Sequence, residues 1–213
     1  MPIVATESIE EFFSEIVESS MRARGVSATE VATNYVVSLL KEFARPDERV
    51  ETTFSRPLTF LLDEALHTSN LGERFEGLRL LGDGVLYTTG FFGDHLEARG
   101  VDPQYVISIG TTAYENASSL LHGGALAVKE RDGVVTKRDI FRELASKFVV
   151  FVQVINDVAD TAIAGGASSA GDASAKNLLT LYERWLKTGS DTLAQTLSSH
   201  GLVPTRGGKG VLQ

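Results

Sequence analysis

Carboxylate and phenol side chains share one face of the helix predicted for Leu71 to Arg99. A helix turns by about 100° per residue, which places Asp83, Tyr87 and Asp94 within about 40° of one line along it. Apolar side chains cover most of the remaining circumference, so we expect this helix in the middle of a bundle. Bundles build ligand sites from side chains on facing helices, and this face is therefore our candidate pocket. A narrow solvent-facing slit is the structural alternative.

Two tyrosines of the next predicted helix extend the candidate pocket. Tyr105 and Tyr114 lie within Gln104 to Leu121, and the short turn before this segment predicts an antiparallel hairpin. Their hydroxyls could bind a ligand. Alternatively, they could reach buried acids such as Asp83 or Asp94 and satisfy them without any ligand, which would make the group structural.

A weaker candidate site lies in the segment VVFVQVINDVAD. Its polar residues share one helical face and are Gln153, Asn156, Asp157 and Asp160. A buried carboxylate has to reach water, a partner or a cation, and a solvated edge of an amphipathic helix is the simpler interpretation. The segment resembles the second aspartate-rich motif of the all-helical isoprenoid synthases. That resemblance implies a magnesium and diphosphate site at Asn156, Asp157 and Asp160, although the DDxxD motif of the family is absent.

Other motifs with a known chemistry are missing from the sequence. The patterns HExxH, GxSxG and GxGxxG do not occur, repeated Glu-x-x-His pairs are lacking, and there is no cysteine. Asp63 and His67 are one helical turn apart, but each histidine is better explained as an ordinary surface residue. We therefore predict no metal site, and the sequence assigns neither a catalytic residue nor a cofactor.

The charge and the hydropathy exclude two classes of partner. With 28 acidic and 20 basic residues, the chain has a net charge of −8 and repels phosphate backbones, so no nucleic-acid partner is expected. The longest apolar run, Phe148 to Val152, is far shorter than a membrane-spanning helix of about 20 residues. The acidic amino terminus lacks the features of a secretion signal, and we expect a cytoplasmic protein.

Prolines and glycines divide the chain into helical segments. All five prolines lie where a helical pattern begins or ends. The glycines of the helix predicted at 71–99 would let neighbouring backbones approach closely, which supports its central position. The sequence predicts an all-α, single-domain bundle over residues 1–200 with a flexible tail at 201–213. Its seven helices are Glu7–Arg24, Thr29–Ala44, Leu58–Ser69, Leu71–Arg99, Gln104–Leu121, Lys137–Ala164 and Ala175–His200.

Capping signals and connections complete this outline. Ser27 with Glu30 fits a capping box, Asp102 fits an N-cap, and Gly100 fits a left-handed helix end. The longer connections are 45–56, 123–135 and 165–174. The second predicts either a small hairpin at its Asp-Gly pair or a helix extension followed by a loop, and the third predicts a flexible link.

Part of the candidate pocket belongs to a wider pattern. It consists of Leu81-Gly82-Asp83, Gly90-Phe91-Phe92, Gly100, Tyr105, Gly110 and Ala113-Tyr114. This spacing resembles a group of uncharacterised bacterial proteins over about residues 80–114. The resemblance implies a bacterial helical protein and carries no activity.

Two functions compete on these observations. Missing catalytic motifs and abundant amphipathic helices favour a cytosolic interaction or regulatory module that binds a protein partner or a second copy of itself. The alternative is a small-molecule-binding protein or enzyme that uses the candidate pocket. An isoprenoid-synthase-like magnesium and diphosphate site is a more remote alternative.

Overall fold

The computed structural model describes residues 9–43, 56–122, 140–169 and 175–205. Within these ranges the chain is all-α, as predicted, and contains no β-strand. The possible hairpin and most of the predicted tail lie outside the described residues. Nine helices are described, against about seven in the prediction: α1 (Ile9–Ala23), α2 (Glu30–Phe43), α3 (Leu58–His67), α4 (Leu71–Ala98), α5 (Pro103–His122), α6 (Ile140–Ser146), α7 (Phe148–Ser169), α8 (Ala175–Thr188) and α9 (Asp191–Ser199).

Helix α4 is the central, glycine-rich helix of the prediction. Every residue from 81 to 90 is buried, and α2, α3 and α5 all pack against it. A left-handed Gly100 (φ 74°) follows α4, and the Asp102 carboxylate accepts a hydrogen bond from the Gln104 amide at 2.9 Å in the first turn of α5. Both predicted signals are confirmed, and the turn returns the chain as the helix that packs along α4.

Two glycines allow this hairpin and its neighbours to pack closely. A Cβ atom built on Gly82 would lie 2.5 Å from the ring of Tyr114. One built on Gly110 of α5 would lie 2.4 Å from Phe148 and 2.7 Å from Val85. No side chain fits at such distances, so glycine at both positions makes room for large buried rings.

The contacts divide the chain into two compact units, Met1–Asn156 and Asp157–Gln213. The first contains α1 to α6 and the beginning of α7. The second has its own apolar cluster, consisting of Ala164, Leu181, Trp185, Leu193 and Leu197. The single domain predicted over residues 1–200 stays a prediction.

Two of the predicted helices were wrong in their extent. The segment Lys137–Ala164 contains two described helices separated at Lys147, and the segment Ala175–His200 breaks at Gly189. Gly189 has a φ of 67°, which ends α8, and Ser190 then caps α9 by accepting the Leu193 amide. The link predicted from residue 165 is also partly helical, because α7 continues to Ser169.

The residue that caps helix α2 is itself held by a distant part of the chain. The Thr29 hydroxyl accepts the Ala32 amide at 3.2 Å, so Thr29 is the N-cap and the predicted capping box of Ser27 is wrong. Glu143 of α6 accepts hydrogen bonds from both the amide and the hydroxyl of Thr29. Burial acts to raise the pKa of Glu143, but hydrogen bonds from Lys147 and Thr29 outweigh it and lower this pKa.

Candidate functional site

Asp83 is the centre of a buried polar cluster in the first unit. The residue is only 4% exposed. Its Oδ1 atom accepts hydrogen bonds from the hydroxyls of Tyr35 and Tyr114, each at 2.7 Å. Its Oδ2 atom accepts a hydrogen bond from Arg79 Nη1 at 2.9 Å. We call Asp83, Tyr35, Tyr114 and Arg79 the Asp83 cluster, in which the protein itself supplies donors to both carboxylate oxygens.

Packing around one phenylalanine orients the two tyrosines. The Phe141 ring of α6 lies 5.6 Å from the ring of Tyr35 on α2 and 5.7 Å from the ring of Tyr114 on α5. Tyr114 is fully buried and covers Gly82, the residue next to Asp83. The cluster therefore joins α2, α4 and α5 around a shared apolar support.

Arg79 connects the buried carboxylate to the surface. Its guanidinium donates to Glu76 Oε2 through Nη2 at 2.8 Å and through Nε at 3.1 Å. The side chain of Arg79 is 26% exposed and that of Glu76 is 54% exposed. Residues 76, 79 and 83 are one turn apart on α4, so the ion pairs run along one helix face from solvent to the core.

The surroundings shift the pKa values within the cluster. Burial raises the pKa of Asp83 to about 6, while hydrogen bonds from both tyrosines and the charge of Arg79 oppose that rise. Burial and the nearby Asp83 charge also raise the pKa of Tyr35 and of Tyr114, so both phenols keep their protons at neutral pH. An acid that titrates near pH 6 suits proton transfer, but the cluster's own side chains already bond both of its oxygens.

The structure joins only part of the predicted pocket. Asp83 and Tyr114 are in contact, whereas Tyr87 lies one turn further along α4, stacked between Phe43 and Phe91 with ring centroids at 4.6 and 4.7 Å. Tyr105 is 42% exposed on the first turn of α5. The side chain of Asp94 lies outside the described part of the structure.

Sequence reasoning missed Tyr35 as a member of the cluster. Arg79 is four residues before Asp83, and this spacing places it on the same helix face. Tyr35 lies 48 residues away on α2, and no local spacing relates it to Asp83. Only the tertiary arrangement brings its hydroxyl to the carboxylate.

The weaker candidate residues have separate environments. Gln153 accepts a hydrogen bond from Arg24 Nη1 at 3.1 Å. In the second unit, Asp160 is 1% exposed and forms an ion pair through Oδ1 with Arg184. Burial raises the pKa of Asp160, and the bond from Arg184 opposes this rise. Asn156 and Asp157 also have polar or electrostatic interactions.

The described ranges contain neither a cluster of metal-binding side chains nor a membrane-spanning helix. No group of three or more histidine, aspartate or glutamate side chains there could hold a metal ion. No helix among these residues combines the length and the apolar character needed to cross a membrane.

A groove with a volume of about 410 Å³ runs between α3 and α4. Its lining residues are Arg56, Leu61, Glu64, Ala65, Thr68, Gly77, Leu80 and Leu81. Ala65 and Gly77 form a close helix contact, since a Cβ atom on Gly77 would lie 3.4 Å from that of Ala65. Leu80 in this lining is 48% exposed. Phe60, which precedes the lining residue Leu61 on α3, is 62% exposed. We call this feature the α3–α4 groove.

A second groove of about 520 Å³ is lined mainly by residues of polar type. The lining consists of Glu115, Ser118, Ser119, Arg142, Ala145 and Ser146 on α5 and α6. No large apolar side chain comparable to Leu80 in the first groove occurs among these lining residues.

Comparisons of the chain with protein-family models, with curated proteins and with solved structures found no match.

Proposed function

We propose that this protein is a helical protein-interaction module of the cytoplasm that binds its partner through the α3–α4 groove. The observation that carries the proposal is the contrast between two places in the first unit. The carboxylate of Asp83 is bonded by three of the protein's own side chains, while the apolar side chain of Leu80 in the groove lining is 48% exposed.

The Asp83 cluster favours a structural role for the acid. A ligand that used the Oδ1 atom of Asp83 would have to displace the hydroxyl of Tyr35 or Tyr114, and a ligand for the remaining acceptor site of Oδ2 would have to reach a side chain that is only 4% exposed. Each displaced buried donor would then lack a partner, at a cost of about 1–3 kcal/mol. Each oxygen of the carboxylate already accepts at least one hydrogen bond from the protein.

The α3–α4 groove favours binding of an apolar protein side chain. Phe60 and Leu80 are 62% and 48% exposed, and burying such a side chain stabilises a complex by about 1.5–3 kcal/mol. The groove has a volume of about 410 Å³, which leaves space for an inserted side chain. An apolar anchor side chain that fills a pocket is typical of the centre of a protein interface.

The charge of the chain supports a protein partner over other macromolecules. A net charge of −8 opposes association with nucleic acids and with anionic lipid surfaces. The groove itself carries both signs, because Arg56 Nη1 and Glu64 Oε2 form an exposed ion pair at 2.7 Å. A protein surface with mixed charges around an apolar side chain fits this rim.

Site-specific photocross-linking in the cells that produce the protein tests the proposal. A photoreactive phenylalanine analogue replaces Leu80 in the groove, and the matched control carries it at Leu179 of the second unit, which is 57% exposed. We expect a discrete protein adduct from position 80 and none of that mass from position 179. Equal labelling from both positions, or no adduct from position 80, would contradict the proposal.

A further inference from the structure

We draw no further inference here: the strongest candidate, the surface of the α3–α4 groove around Leu80, belongs to the site already described, and nothing in the described residues shows which partner covers it.

Discussion

Replacing Tyr114 with phenylalanine removes one hydroxyl from the Asp83 cluster and keeps the ring that covers Gly82. The lost bond is a 2.7 Å contact to a carboxylate at a fully buried position. Hydrogen bonds to charged groups contribute about 1.5–3 kcal/mol to stability. With Asp83 ionised, the free energy of unfolding of the variant should therefore be about 2 kcal/mol lower than that of the wild type. This difference is a large part of a typical stability of 5–15 kcal/mol.

The cost of Tyr114→Phe should depend on pH. The pKa of Asp83 is raised to about 6 in the folded protein. Protonated Asp83 therefore stabilises the folded state at low pH, and this stabilisation is lost as the pH rises through about 6. The variant lacks one donor to the ionised carboxylate, which raises the folded pKa of Asp83 further and increases that loss. At pH 4.5 the acid is protonated in both folded proteins, and only a neutral bond of about 1 kcal/mol should be missing.

Urea denaturation followed by far-ultraviolet circular dichroism measures this difference between pH 4.5 and pH 8. The two proteins are compared at each pH, so that the titration of other groups cancels. Tyr35→Phe should behave in the same way because its hydroxyl bonds the same oxygen, whereas Tyr105→Phe at an exposed position should change nothing. A deficit that is the same at both pH values, or below about 0.5 kcal/mol at pH 8, would refute the assigned role of the hydroxyls.

Three further predictions concern other contacts. Gly82→Ala places a Cβ atom 2.5 Å from a tyrosine ring and should lower the free energy of unfolding by about 1–3 kcal/mol. In Gly93→Ala the added Cβ atom meets nothing within 4 Å, and this variant should be more stable by up to about 1 kcal/mol. Equal melting temperatures for the two variants would contradict the packing around Gly82. Arg184→Met leaves Asp160 buried without its cation and should destabilise the second unit by about 3–5 kcal/mol, measured by tryptophan fluorescence in denaturant, and an unchanged midpoint would contradict this. Glu143→Gln should destabilise the folded protein at pH 7 and progressively less as the pH falls, because the pKa of Glu143 is lowered in the folded state. Urea denaturation at several pH values measures this loss of stability. A loss that grows as the pH falls would contradict the lowered pKa.

Signals close together in the sequence predicted much of the fold. Helix α4 could be placed at the centre because apolar side chains surround most of it and its glycines permit close contacts. Its end at Gly100 and the cap at Asp102 follow from residue types with known backbone preferences. The break after α8 had the same kind of signal in Gly189 and Ser190, but a continuous apolar pattern concealed it.

Interactions between distant segments could not be predicted in this way. Glu143, 114 residues away, accepts the amide of Thr29, and Thr29 is the N-cap of α2 in place of the expected Ser27. Tyr35 completes the Asp83 cluster through the packing of α2 on α4. Periodicity shows which face of a helix is polar, but it does not show which side chain of another helix will meet that face.

Oxidative footprinting in the producing cells tests most directly whether the α3–α4 groove is the interaction surface. Hydroxyl radicals modify Phe60, Leu80 and Leu179 in proportion to the exposure of each side chain. We expect Phe60 and Leu80 to be modified strongly in dilute purified protein and protected in cells, while Leu179 is modified in both. If Phe60 and Leu80 were modified as strongly in cells as in dilute solution, the groove would be free of a partner and the proposed function would be wrong.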